Sequence, residues 1–135
     1  MLFRSMKEAD LKLAVSDYLK YGTNQGRWYA SRLNSGIAYI KRGDKYYAIT
    51  LCEEGTVDFM VIMGNREMVW KQLEYRECDY SYQNLGRRSK VIFLELKGDK
   101  GKQRPEQGAF QKLVEAQGAE YAVIRSIEEL ENVLA

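Results

Sequence analysis

The chain contains no histidine, a single proline and two cysteines, and it has no apolar stretch approaching the length of a membrane span. Each scarcity removes a class of function. Without histidine there is no histidine general base, no serine triad, and no histidine nuclease or zinc protease. Cys52 and Cys78 are too few and too far apart in sequence for a zinc cluster, and they read as reduced thiols. The N-terminal stretch "MLFRSMKEADLK" lacks an apolar signal region, so the expected address is the cytoplasm and no membrane partner is expected. Net charge is only +2, which leaves any polyanion binding to local clusters of lysine and arginine. The chemistry left open runs on carboxylates, lysine and a hard metal ion.

What is present suits one domain with a core: 135 residues, 45% of them hydrophobic and 12% aromatic. Leu11, Val15, Tyr18 and Leu19 make a helical stripe from Ser5 to about Tyr21, with Gly22 as the stop. Loop chemistry follows at Asn34-Ser35-Gly36. "IAYIKRGDKYYAITL" reads as two strands around an Arg42-Gly43-Asp44 turn. A turn at Gly55 leads into a strand from Val57 to Met63. Residues 64–90 resist assignment, because "EMVWKQLEY" fits a strand and a short helix equally. "VIFLEL" is a strand buried on both faces. Pro105 opens a helix with Phe110, Leu113 and Val114 on one face and Gly118 as its stop. "AEYAVIR" is a further strand, and Ser126 with Glu129 caps a closing helix. The order predicts one α/β domain.

Three acids fall where acids are costly. Asp58 starts the strand after Gly55, Glu95 interrupts the apolar run "VIFLEL", and Glu8 edges the stripe of the first helix. Lys97 follows Glu95 by two, so the two side chains share one side of their strand. Each feature has a plain explanation. Glu95 and Lys97 fit an exposed edge pair, Glu8 a capping box with Ser5, and Asp58 a turn-flanking acid. Together, with the two strands adjacent, they make two carboxylates converge beside a lysine. A divalent ion relieves such repulsion best, and hard oxygen donors favour Mg2+ or Mn2+.

These residues resemble a known family. "GTVD" before an apolar strand, "FLELKGDKGKQRPEQ" and "EYAVIRSIEEL" are similar to segments of the VRR-NUC family in the PD-(D/E)xK nuclease superfamily. The matching pieces are Glu95-Leu96-Lys97, the Gly98–Lys102 turn, Pro105-Glu106-Gln107 and Val123-Ile124-Arg125-Ser126. Glu8 to Leu11 and Arg32 to Gly36 match the family's first helix and loop. The resemblance spans nearly the whole chain, with two departures. Val57 replaces the proline before the aspartate, and residues 64–90 form an insertion within the single 1–135 domain.

The resemblance implies a restriction-endonuclease-like core, helix–three strands–helix–strand–helix around a mixed sheet. It implies a metal held by Glu8, Asp58, Glu95 and the Leu96 backbone carbonyl, with Lys97 catalytic and Gln107 placing water or substrate. The expected activity is Mg2+- or Mn2+-dependent hydrolysis of DNA phosphodiester bonds. Ser35, Gly36, Arg87, Arg88, Lys100, Lys102 and Arg104, with Lys90, are the candidate DNA contacts. Stand-alone relatives suggest a homodimer cutting four-way junctions, with Tyr75, Tyr80 and Tyr82 offering contact surface. The competing reading is a catalytically silent binding or assembly module. A sequence-specific restriction enzyme fits less well, since no recognition domain is evident.

Overall fold

Leu11, Val15 and Leu19 recur at helical spacing and are buried, forming the inner face of helix α1 (Glu8–Asn24). The computed structural model describes residues 7–64 and 89–135. Lys7 is the N-cap and makes no side-chain cap bond. Glu8 is therefore the first helical residue, not the third that a capping box with Ser5 requires; Ser5 lies outside the described residues. Nor does Gly22 stop the helix, which runs on to Asn24. Gly22 serves packing instead. A Cβ there would run into the Trp28 ring. That buried indole is fixed by a 2.9 Å hydrogen bond from its Nε1 to the Leu19 carbonyl and by stacking on Tyr18. Gly22→Ala gains about 1 kcal/mol of helix propensity but drives a methyl into a ring that cannot retreat. The clash wins, and we expect a net loss of about 2 kcal/mol in urea unfolding. A variant as stable as the native chain would show that Trp28 packs elsewhere.

After α1 the described residues form β1 (Tyr29–Arg32), β2 (Ile37–Arg42), β3 (Lys45–Thr50), β4 (Phe59–Gly64) and β5 (Ser89–Leu96), then α2 (Pro105–Ala116), β6 (Glu120–Ile124) and α3 (Ile127–Leu134). The main sheet has the order β1-β4-β5-β6. Its β5–β6 pair is parallel and the others antiparallel, so the expected mixed sheet is present. A parallel pair needs a crossover, and α2 supplies it. β2 and β3 form a separate antiparallel hairpin in which Arg42 pairs with Lys45. Its turn is Gly43-Asp44, with Gly43 at φ +62° as a two-residue hairpin turn demands. The protein is α/β, with three helices, the four-stranded sheet and the hairpin among the described residues.

Alternation along β5 divides the layers. Ile92, Leu94 and Leu96 are buried with Leu11, Val15 and Leu19 of α1, Leu130 and Leu134 of α3, and Val61. The opposite face carries Phe93, which meets Phe110 of α2 edge-to-face at 5.3 Å. Leu113, expected on the inner face of α2, is instead 69% exposed. Gly118 does follow the helix, at φ +90°. At α3, Ser126 caps as expected by accepting from the Glu129 amide. Glu129 reaches one residue beyond the box, to the Arg125 amide at 2.7 Å.

Gly64 pairs with Ser89 across β4–β5. The strand-or-helix alternative for "EMVWKQLEY", together with Cys78, Tyr75, Tyr80, Tyr82, Arg87 and Arg88, lies outside the described residues. Among the described residues no helix is long and apolar enough to cross a membrane.

Candidate active site

Antiparallel pairing of β4 with β5 puts Phe59 opposite Leu94 and thereby brings Asp58 beside Glu95. The Asp58 amide donates to the Leu94 carbonyl at 3.1 Å, which extends the ladder by one rung. Its Oδ2 accepts from the Leu96 amide at 2.8 Å, so the aspartate is fixed against the strand that bears the glutamate. Leu96 thus enters the site through its N–H. The turn before Asp58 is equally constrained. Gly55 has φ +90°, and a Cβ on it would lie 2.6 Å from the Glu106 carbonyl. Only glycine lets this turn press on the start of α2.

Glu95 is 3% exposed and Lys97 7%, which excludes the exposed-edge-pair reading. Lys97 Nζ stands 3.4 Å from Glu95 Oε1, as their shared side of the strand predicts. The same oxygen accepts from Gln107 Nε2 at 2.6 Å. Gln107 Oε1 takes the Arg104 backbone N–H at 2.9 Å, and that donor fixes which end of the amide faces Glu95. Gln107 therefore orients the carboxylate rather than reaching past it. Burial, reinforced by the Asp58 charge and only partly offset by Lys97, pushes Glu95 up to about 7. Glu95 Oε2 is buried with no hydrogen-bond partner among the described residues. An orphaned carboxylate oxygen in low dielectric calls for a proton or a cation.

Among the described residues Glu8 reaches this group through Lys12. Lys12 Nζ lies 3.3 Å from Glu8 Oε1 and 3.2 Å from Asp58 Oδ1. Burial opposes the charge on Lys12, yet the Asp58 and Glu8 carboxylates hold its pKa above the usual lysine value. The sequence held a signal for this lysine, since Glu8 and Lys12 are an i,i+4 pair. Among the described residues no three acidic or cysteine side chains are grouped to hold a metal ion as they stand. The expected convergence of Glu8, Asp58 and Glu95 is thus corrected to two adjoining carboxylates and a third linked by an ammonium. Hard oxygen donors and the orphaned Oε2 still suit a hard divalent cation.

The candidate DNA contacts divide. Lys100, Lys102 and Arg104 are exposed around the turn that follows Lys97, with Arg104 also 3.9 Å from Glu106. That turn is tied down by Arg125, whose guanidinium donates to the Gly98 carbonyl at 2.7 Å. This gives the arginine of "VIRS" a structural task that the sequence did not assign. Lys90 pairs with Glu120 at 3.9 Å, five residues before Glu95 and about 17 Å away along the strand. Ser35 and Gly36 lie at the base of the hairpin, where Ser35 bridges to Cys52. Comparison with protein-family models, with curated proteins and with solved structures gave no match.

Proposed function

We propose that the protein is a metal-dependent DNA endonuclease of the PD-(D/E)xK kind, similar to the VRR-NUC family. The observation that carries this reading is the Asp58–Glu95–Lys97 group at one end of the sheet, in which Glu95 and Lys97 are buried and Glu95 Oε2 has no partner among the described residues. An α/β core supports it: among the described residues three strands of the four-stranded sheet, together with the β2–β3 hairpin, stand between α1 and α2.

Asp58 and Glu95 would hold the ion, with Glu8 joining once Lys12 yields its place. When bound there, a divalent cation would supply Lewis-acid polarisation of a phosphoryl oxygen and acidification of a water. The chain's own groups do the rest. Gln107 and Lys97 fix Glu95 in one orientation, so the ligand set is preorganised. The Lys97 ammonium, buried where the dielectric is low, stabilises the charge that develops on phosphate oxygens in the transition state. The exposed lysines of the 100–104 turn then hold the duplex by its phosphates.

By the same reading the substrate is branched duplex, a four-way junction in preference to linear DNA, cut by a homodimer that supplies two matched centres. One observation favours a second reading, a silent binding module: an ammonium already bridges Glu8 and Asp58. A panel of labelled linear duplex, flap, fork and four-way junction, with magnesium present or chelated, decides. We expect chelator-sensitive cleavage, fastest on the junction. Binding with no cleavage of any substrate establishes the silent module instead.

A further inference from the structure

The β2–β3 hairpin has no place in the site just described, and it is the most exposed part of the described fold. Every residue of β3 is exposed, and every residue of β2 except Ala38. Among the described elements the two strands pack only on each other. Yet the sequence is not that of a solvated loop. One face carries Tyr39 and Tyr46, 70% and 67% exposed, and the other carries Ile40, Tyr47 and Ile49. A lone two-stranded ribbon is marginal in water, and two open edges with apolar side chains invite a partner.

We propose that this hairpin is an arm that holds duplex DNA beside the Asp58–Glu95–Lys97 end of the sheet; the proposal rests on the nuclease reading. Charge selects the partner. Lys41, Arg42 and Lys45 cluster at the tip with Asp44 as the one acid from Ile37 to Thr50. Lys41 and Tyr46 lie on one face, the ammonium 5.8 Å from the ring centroid. A second copy would set this cationic tip against its like, whereas a phosphate backbone complements it. Tyrosine hydroxyls on both faces add donors for phosphate oxygens.

Shape and placement agree with charge. Six residues per strand at about 3.3 Å each give a ribbon about 20 Å long, and the major groove admits a two-stranded ribbon. The base is anchored: the Leu33 amide donates to the Asp58 carbonyl at 2.8 Å, the Leu51 amide to Gly36 at 2.9 Å and the Cys52 amide to Asn34 at 2.9 Å. The arm therefore springs from the backbone of a candidate ligand. It sets where the duplex lies, and the carboxylates set what is cut.

The test is a K41A/R42A/K45A variant binding a fluorescein-labelled linear duplex in chelator across a salt series, followed by anisotropy. Three lost phosphate contacts should flatten the log–log salt slope by about 2.7 and weaken binding more than tenfold at low salt. The melting temperature and its shift on adding magnesium should match the wild type, because all three side chains are exposed. Unchanged slope and affinity, with the wild type binding duplex, would overturn the arm and leave the nuclease reading standing. No duplex binding by the wild type overturns the arm, and no cleavage in the panel removes the nuclease reading as well. A variant that turns from dimer to monomer in light scattering with unchanged duplex affinity makes the hairpin a contact between copies, and the DNA arm is then wrong.

Discussion

Asp58→Ala, Glu95→Gln and Lys97→Ala should each lower magnesium-dependent cleavage by about a thousandfold or more. The three losses differ in kind. Asp58→Ala removes a proposed ligand and the acceptor of the Leu96 amide, so it should also cost about 1–3 kcal/mol of stability. Glu95→Gln keeps shape and burial while removing the charge that a cation needs. Lys97→Ala leaves the proposed ligands in place and deletes the buried positive charge, so metal affinity should survive while turnover should not. A magnesium-dependent thermal shift, measured beside the cleavage rate, separates these cases. Wild-type cleavage by the Asp58 or Glu95 variant would end the assignment.

Without metal, stability should fall by up to about 3 kcal/mol as pH rises from 4.5 to 7, the range between Glu95's ordinary and shifted pKa values. The sign follows from proton counting. Between those values the folded chain keeps the Glu95 proton while the unfolded chain has released it. The stabilisation is therefore whole below the ordinary value and is lost as pH passes the shifted one. Asp58 pushes in this direction, and Lys97 and Lys12 push against it. In Glu95→Gln this part of the pH dependence should vanish, and the variant should be the more stable chain at pH 8 in chelator. Urea unfolding at several pH values measures it. The same slope in variant and wild type would show that Glu95 is ionised in the folded protein throughout. A metal held by Glu95 would have to displace that proton, so on the nuclease reading magnesium should stabilise the wild type more at pH 8 than at pH 5.

Local chemistry made much of this architecture legible. The Arg42-Gly43-Asp44 turn, the Pro105 helix start and the Ser126 cap each depend on a few adjacent residues, and each stands where the sequence placed it. Glu95 and Lys97 were legible for a similar reason, since two-residue spacing alone puts them on one side of a strand. The misreadings share a cause in distant contacts. Gly22 carries the mark of a helix stop, but Trp28 decides its role. Leu113 completes a helical stripe, but nothing in α2 reveals how far the sheet beneath it extends. The apolar residues of β2 and β3 look like any strand's core residues until the sheet order leaves them out. The resemblance implies a site role for Gln107, but its pairing with Glu95 depends on the way α2 crosses β5.

The contact between Gly55 and Glu106 makes the two sides of the site one mechanical piece. The turn that delivers Asp58 leans on the helix that delivers Gln107, with no side chain between them to act as a cushion. A side chain at position 55 would push in both directions at once, displacing one carboxylate directly and the other through the amide that steers it. Gly55 thus acts as a hinge pin whose thinness sets the tolerance of the assembly. It holds no ion and touches no substrate, yet the spacing of the two groups that would do so is gauged against it.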